Sequence, residues 1–552
     1  MSITSIVKFA LCLAGCVFGL TQRTSAQTKQ ESLPPLLQGM GKHHHAITTK
    51  SPLAQQYFNQ GLTLHYAFNH PAAIRSFNAA AQLDPQCAMA YWGIAYALGP
   101  NINQMMPDEA VPDAFTALQR ATELAPQASA KERAYIEALA KRYSKEPLAD
   151  RKALDEAYAT AMSNVAARFP ADPDALTLYA ESLMDTMPWA YWTKAGAAKP
   201  DTLKILKALE TVIRRTPRHP GANHFYIHAV EAGPHPAKGL AAADRLRTLV
   251  PGAGHLVHMP AHIYLRTGRY HDATLANEAG VAADKLFQTQ CHVTGLYANG
   301  YIPHNHHFLW YSAMMEGASA KAIRAAEHIA ATVDHKAMRE RGGGTVQHYF
   351  VTPLYAYVQF GKWDAILRYA APDQDLRYPT AVWHYARGIA LARKGRVDEA
   401  QRELDALTPI ASDKSLEAVT IFDINTTLSL LPIAKEVVAG EIASAKQDWP
   451  HAIAHLEAAV RLQDELNYDE PPVWHFPVRH AFGAVLLKAG RASQAEQVFQ
   501  EDLRRNAENG WALFGLRQSL QAQGKKKATM LVANRFRKAW THADLKLTAA
   551  RF

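Results

Sequence analysis

The sequence has little cysteine, with four residues in 552, and after the N-terminus it has no long apolar run. It therefore predicts no transmembrane segment beyond the N-terminal region. The alternation of polar and apolar residues that marks half-buried strands is also missing, which predicts an all-α fold. The motifs H-E-x-x-H and G-x-S-x-G do not occur, so no single segment identifies a metalloprotease or an α/β-hydrolase.

Charge of both signs is present, but neither sign is concentrated. The formal net charge of +9 comes from 59 basic and 50 acidic residues, and the only basic run is at residues 525–527. A nucleic-acid interface needs a concentrated basic footprint. The composition thus predicts a solvated surface and no nucleic-acid partner.

The N-terminus has the pattern of an export signal. Lys8 precedes an apolar stretch from Phe9 to Leu20, and Thr24-Ser25-Ala26 precedes Gln27. The pattern predicts a signal peptide over residues 1–26 and a periplasmic or secreted mature chain. In a second interpretation, Leu13-Ala14-Gly15-Cys16 is a bacterial lipoprotein box, and a lipid anchors the mature chain at Cys16.

Cleavage after Ala26 leaves two cysteines, Cys87 and Cys291. Their separation of about 200 residues makes contact improbable in an elongated array, although one disulfide is the alternative. We expect two small apolar side chains in the core.

Helix-turn-helix repeats organise the chain. In "AQQYFNQGLTLHYAFNHPAAIRSFNAAAQLDPQ", Gly61, Ala73, Phe77 and Pro85 fall on a 34-residue template in which small residues stand where two helices touch. Related units begin at Gly268, Gly395, Gln447 and Gly490. The units predict a tetratricopeptide-repeat (TPR)-like α-solenoid, whose first helices line a concave surface.

This organisation predicts six segments. Residues 1–26 form the signal peptide, 27–52 an N-terminal segment, 53–128 TPR-like repeats, 129–219 irregular helical repeats, 220–410 histidine-rich repeats and 411–552 further TPR-like repeats.

Histidines recur in the first helices of the central repeats. His224, His262, His307, His348 and His384 are separated by repeat-sized steps of 36 to 45 residues. Further histidines and one carboxylate share their helix faces or lie close by, so the candidate metal ligands are His224, His228, Glu231, His258, His262, His304 and His307. We expect Pro260 in the opening turn of its helix, with His255 and His258 in the approach to that helix.

Three functions fit this pattern. In the first, the solenoid is a scaffold that binds a protein or peptide in the cell envelope and carries a histidine-lined metal site on its concave face. In the second, the histidine and glutamate cluster belongs to an enzyme that depends on copper, iron or zinc. In the third, the solenoid is a receptor for a small ligand and uses the tryptophans of "PWAYW" (188–192) and "EPPVWHF" (470–476), which otherwise pack between repeats.

Several blocks also resemble a known group of proteins. The stretches "FNQGLTLHYAFNHPAAIRSF", "GANHFYIHAVEA", "GHLVHMPAHIYLRTGRY", "IPHNHHFL" and "YDEPPVWHFPVRHAFGAVLLKAG" are similar to segments of secreted bacterial TPR proteins that are largely uncharacterised. The resemblance runs from about His43 to Phe552. It implies a helical-repeat fold and export, and it supplies no activity, ligand or site residue.

Overall fold

The computed structural model describes residues 33–148, 150–291, 293 and 297–552. The predicted signal peptide and Cys16 lie outside these residues. In the described part of the chain, no helix is long and apolar enough to span a membrane. Cys87 is buried, Cys291 is half-buried, and both are free thiols, as expected for unpaired side chains.

Antiparallel helices follow one another along the described chain. The first eight are α1 Pro52–Tyr66, α2 His70–Leu83, α3 Ala88–Ala97, α4 Val111–Leu124, α5 Ala130–Leu139, α6 Lys152–Arg168, α7 Pro173–Asp185 and α8 Pro200–Arg215. The central helices are α9 Pro220–Glu231, α10 Leu240–Leu246, α11 Gly254–His258, α12 Pro260–Arg266, α13 Tyr270–Gln290, α14 Ile302–Glu316, α15 Ser319–Thr332, α16 Gly344–Gln359 and α17 Trp363–Arg368.

The C-terminal helices are α18 Arg377–Arg393, α19 Val397–Ile410, α20 Thr427–Ala445, α21 Trp449–Asp464, α22 Val478–Lys488, α23 Ala492–Arg505, α24 Gly510–Ala522 and α25 Lys526–Ala539. A two-residue ribbon pairs β1 Thr420–Ile421 with β2 Asn425–Thr426 in antiparallel register. The predicted all-α, TPR-like solenoid is therefore confirmed.

One packing unit occurs in the same form at both ends of the solenoid. Phe77 on α2 is fully buried, and a Cβ added to Gly61 on α1 or Gly93 on α3 would overlap its ring. Phe499 on α23 has the same relation to Gly483 on α22 and Gly515 on α24. Glycine at these positions allows three consecutive helices to approach a single ring closely.

The superhelix closes on itself. At the N-terminal end, His224 Nδ1 on α9 lies 2.7 Å from the Tyr66 carbonyl at the end of α1. At the C-terminal end, Trp511 Nε1 donates to the Met314 carbonyl at 3.0 Å, and Tyr270 Oη donates to the Ala507 carbonyl at 3.0 Å. The first helices of the central repeats therefore face a closed interior.

Pro260 is the first residue of α12, as predicted, but the approach to it is itself a short helix, α11, which was not predicted. Helix α11 begins at Gly254, and Met259 keeps helical backbone angles (φ −48°, ψ −35°) between α11 and α12. The first turn of α12 tolerates Pro260, whose missing N–H would have no partner there, and α11 ends just before it. His255 and His258 lie inside α11, on the face that continues to His262.

The packing unit makes a direct prediction. We expect Gly515→Ala to lower the free energy of unfolding by about 1–3 kcal/mol, because overpacking outweighs the gain in helix propensity. In a Phe499→Leu background, where the ring is absent, the same change should cost markedly less. Urea unfolding of the four proteins in this double-mutant cycle measures the coupling. Additive effects would contradict the packing unit.

Candidate metal centre

Three neighbouring segments bring six imidazoles together. Helix α9 contributes His224 and His228, α11 and α12 contribute His255, His258 and His262, and the first turn of α14 contributes His304. The five on α9, α11 and α12 are at most 2% exposed, and His304 is half-buried. Fully buried polar rings need partners, so their nitrogen contacts define the chemistry of the site.

The six rings form two adjacent groups. In the first triad, His224, His228 and His255 each offer a nitrogen within 4.8 Å of the other two. In the second triad, His258, His262 and His304 do the same. The two triads are neighbours, since the ring centroids of His228 and His262 are 5.6 Å apart.

Oxygen acceptors hold the outer nitrogens of four of these rings. The Nδ1 atoms of His228 and His262 lie 2.7 and 2.5 Å from the two carboxylate oxygens of Glu231. His258 Nδ1 lies 2.7 Å from Asn277 Oδ1, and the Asn277 amide nitrogen donates elsewhere, to the Ala273 carbonyl. His224 Nδ1 faces a backbone carbonyl. Because these oxygens accept, each Nδ1 carries the hydrogen, and the Nε2 lone pair of each neutral ring points inward.

The inward nitrogens lie unusually close together. His258 Nε2 and His262 Nε2 are 3.0 Å apart, and His224 Nε2 and His255 Nε2 are 3.2 Å apart. His228 Nε2 is buried without a hydrogen-bond partner. Two lone pairs at 3.0 Å repel unless a proton or a metal ion lies between them, and tetrahedral zinc, with Zn–N bonds of about 2.0–2.1 Å, separates its ligand nitrogens by about 3.3 Å.

Glu231 sets the electrostatics of both triads. It is fully buried, and burial alone would raise the pKa of its carboxyl, but the facing His262 and His228 hold that pKa well below its usual range. Burial also disfavours charge on His262, yet Glu231 and Glu470 outweigh this effect and raise its pKa to about 9. Without a metal, the proton on His262 therefore takes the place of a cation in the second triad.

Aromatic rings enclose the triads. Phe68 packs on His224 with ring centroids 4.6 Å apart, and Phe308 packs on His262 at 4.3 Å. Tyr301 contacts His255 at 4.8 Å, and Trp189 stands edge-on to His228 at 5.2 Å. Phe68 and Trp189 have φ values of 55° and 59°, which non-glycine residues seldom adopt. This apolar wall strengthens electrostatic interactions inside it.

Neutral imidazole ligands favour particular metals. Three nitrogens per site with a carboxylate held behind them suit zinc, copper, iron or nickel, whereas magnesium and calcium prefer oxygen ligands. Three protein ligands also leave a coordination position for water or another small molecule.

The predicted candidates occupy four positions. His224 and His228 lie in the first triad, and His258, His262 and His304 lie in the second. Glu231 lies behind both and orients them. His307 lies on the same helix as His304 but in neither triad, and it packs on Trp310 and His348 with ring centroids 5.0 and 5.4 Å away.

Two members of the site were not predicted. His255 completes the first triad, and its spacing of three residues from His258 and seven from His262 was a usable signal once the helix began at Gly254. Glu470 approaches from the loop between α21 and α22, and its Oε2 atom lies 2.9 Å from His262 Nδ1. No local spacing connects Glu470 with a histidine more than 200 residues earlier.

A separate cluster surrounds Asp174 on α7. Its Oδ1 atom accepts hydrogen bonds from Tyr66 Oη at 2.6 Å and from His219 Nε2 at 3.0 Å, and His43 Nε2 lies 3.1 Å away. Its Oδ2 atom lies 2.7 Å from His45 Nδ1. His219 Nδ1 accepts from the Ala222 N–H, so its Nε2 atom carries the hydrogen and has no lone pair for a metal. We interpret this cluster as a hydrogen-bonded anchor for residues 33–51.

Comparisons with known proteins give little beyond the fold. No protein-family model matches the chain, and no curated protein matches it. Human IFIT1 with m7Gppp-AAAA is 13% identical over 89% of this chain and 90% of its own, with a TM-score of 0.32. Cut9–Hcn1 of the APC/C is 12% identical over 88% and 76%, with a TM-score of 0.29. Yeast Tom70 is 12% identical over 88% and 90%, with a TM-score of 0.27.

The assignment to the TPR-like α-solenoids therefore rests on the helix pairs and glycine–phenylalanine contacts described above.

The anchor at Asp174 is testable by substitution. Asp174→Asn removes the buried negative charge and places an amide N–H among imidazole and hydroxyl donors, so we expect a loss of about 3–5 kcal/mol in the free energy of unfolding. Asp201→Asn is the matched control, because Asp201 pairs with Lys204 on the exposed surface and should change stability by less than about 1 kcal/mol. Equal effects of the two changes, measured by urea unfolding, would contradict the anchor.

The anchor should also depend on pH. The pKa of Asp174 is held below its ordinary 3.8 because the facing histidines outweigh burial, so its contribution is present above about pH 4 and is lost in acid. At His43, the charge of Asp174 outweighs the effect of burial and raises the pKa of the imidazole above 6.5. The contribution of His43 to stability is therefore complete below pH 6.5 and is lost as the pH rises. Burial lowers the pKa of His219, so protonation of His219 at low pH offsets part of the stability that His43 contributes there.

We therefore expect residues 37–51 to be held more firmly at pH 6 than at pH 8. Hydrogen exchange, corrected for the intrinsic effect of pH, measures this difference. Asp174→Asn should abolish it. A difference that persists in that variant would assign the pH effect to other groups.

Proposed function

We propose that this protein is a transition-metal-binding helical-repeat protein of the cell envelope, with one ion in each triad. The observation that supports the proposal most directly is the 3.0 Å approach of two inward Nε2 atoms whose outer nitrogens are both already donating. The export of the mature chain remains part of the proposal and rests on the N-terminal sequence.

A core without metal is the competing explanation. Buried polar atoms without partners cost about 1–3 kcal/mol each. His228 Nε2 is such an atom, and the second triad must also hold a buried proton. A proton satisfies one pair of nitrogens in the second triad and leaves the first triad unsatisfied. Metal binding supplies a partner in both, and its binding free energy adds to the stability of the fold.

The predicted function as a protein-binding scaffold is compatible with this metal centre. Helical-repeat solenoids offer extended surfaces to partner proteins. A peptide on such a surface does not reach the triads, since the imidazoles on α9, α11 and α12 are at most 2% exposed. A protein or peptide partner would therefore bind elsewhere and without dependence on the metal. The open coordination position keeps metal-dependent catalysis as the alternative.

Elemental analysis tests the proposal. The chain from Gln27 onward is exported to a periplasm, purified without a histidine tag and measured by plasma mass spectrometry. We expect about two ions of copper, iron or zinc per chain, one for each three-histidine site. His228→Ala with His262→Ala removes one ligand from each triad and should abolish binding while helicity, measured by circular dichroism, is retained.

Two comparisons make the result specific. The pair His224→Ala and His228→Ala should remove about one ion, as should the pair His258→Ala and His262→Ala. His480→Ala is the control, because His480 is equally buried but faces Asp502 at 3.0 Å, outside both triads. A chain that is free of metal and takes up none of the three metals would overturn the proposal.

A further inference from the structure

A cavity of about 190 Å³ lies beside the second triad. Its walls come from the ends of α12, α21 and α23, from the start of α13, from α14, and from the loop 465–477 between α21 and α22. Glu470 lines this cavity and also approaches His262. The cavity is thus the space from which a small molecule would approach the second triad.

Four polar atoms of the loop lack hydrogen-bond partners. They are Tyr468 Oη, Asp469 Oδ2, Glu470 Oε2 and Trp474 Nε1, and all four residues line the cavity. Asp469, Glu470 and Trp474 are 8%, 7% and 2% exposed. Glu470 Oε2 is near His262 Nδ1, but the hydrogen of that nitrogen is directed to Glu231. Four buried polar atoms on one loop are expensive to leave unpaired, which indicates a polar occupant.

The charges around the cavity disfavour an anion. Asp464, Asp469 and Glu470 are acidic, and two arginines, Arg266 and Arg505, also line the cavity. Arg266 donates its Nε hydrogen to the Glu231 carbonyl at 3.0 Å and lies over the Tyr468 ring. Arg505 pairs with Asp464 at 3.2 Å and with Glu501 at 2.8 Å. The guanidinium of Arg266 is thus the one lining cation without a carboxylate partner, and it faces the two carboxyl groups of Asp469 and Glu470, so an anionic ligand would meet more carboxyl groups than cations.

Part of the remaining wall is apolar and fits a flat ring. Leu265, Tyr270, Tyr311, Val473 and Trp474 form it. A cavity of about 150 Å³ lined by such side chains accepts a benzene-sized molecule. The unpaired atoms include both donors, on Trp474 and Tyr468, and acceptors, on Asp469 and Glu470. A hydroxyl group is the smallest group that both donates and accepts a hydrogen bond.

We propose that this cavity binds a small neutral aromatic alcohol, with its ring against Trp474 and Tyr311 and its hydroxyl group on the unpaired atoms of loop 465–477. That the ligand lies next to a metal ion rests on the function proposed above. The binding of the ligand to the cavity depends only on loop 465–477 and the cavity wall. The occupied cavity brings the hydroxyl group to Glu470, at the edge of the second triad.

Calorimetric titration of the metal-free mature chain with phenol tests the inference. Phenol should bind one to one, and toluene, which has the same ring without the hydroxyl group, should bind at least about tenfold more weakly because the buried polar atoms stay unpaired. Benzoate, with a charged group in place of the hydroxyl, should also bind at least about tenfold more weakly. Absence of phenol binding, or equal affinity for phenol and toluene, would overturn the proposal.

Two conservative variants test the contacts. Trp474→Phe keeps a ring but removes Nε1–H, and Tyr468→Phe removes only the hydroxyl group, so each should weaken phenol binding about tenfold and leave toluene binding unchanged. Trp92→Phe is the matched control, because Trp92 is equally buried with an unpaired Nε1 atom but does not line the cavity. Equal loss of phenol affinity in Trp92→Phe and Trp474→Phe would assign the effect to general destabilisation and overturn the placement.

The metal content of each sample separates the two proposals. Phenol binding by a chain that takes up no metal would support the cavity and overturn the metal centre. Two bound ions in a chain that fails to bind phenol would support the metal centre and overturn the cavity.

Discussion

The carboxylate of Glu231 is the interaction on which the histidine core depends. It is fully buried and accepts one Nδ1–H from a ring in each triad, which compensates the cost of removing its charge from water. The same two hydrogen bonds set the tautomer and the orientation of His228 and His262, so that their Nε2 atoms face inward. One side chain at the end of α9 thus orients ligands on two different helices.

Helices from distant repeats close over that arrangement. The glycine pairs around Phe77 and Phe499 allow neighbouring helices to share one ring, and this packing repeats at both ends of the solenoid. Curvature then accumulates until α1 contacts α9 and α24 contacts α14. The histidines lie on the helices that this closure buries, so the same repeats that in an open solenoid would line a groove here enclose an interior.

The sequence predicts the part of this structure that is local. The 34-residue template that contains Gly61 and Phe77 predicts helix pairs because it specifies contacts between adjacent helices, and the repeat-sized steps between histidines predict that they occupy equivalent helices. Pro260 was correctly predicted as a first-turn proline, but the separate short helix α11, which begins at Gly254, was not predicted. Consequently His255 was assigned to the approach to the helix, whereas His307 was grouped with His304 although their rings contact different neighbours. Glu470 and the contact of His43 with Asp174 depend on closure over more than 100 residues, which no local pattern encodes.

Closure also connects the proposed metal centre with the stability of the whole chain. In an open solenoid each repeat contacts only its neighbours, so a ligand within one or two repeats stabilises only that region. Here the second triad combines helices α11, α12 and α14 with Glu470 from the loop after α21, which belongs to the C-terminal repeats. Ions bound to these histidines would stabilise the closed form over any form in which α21 and its loop had moved away, because only the closed form has the complete ligand environment. The cavity beside Glu470 lies at this same junction, so a molecule that entered it would contact both the central repeats and the C-terminal repeats.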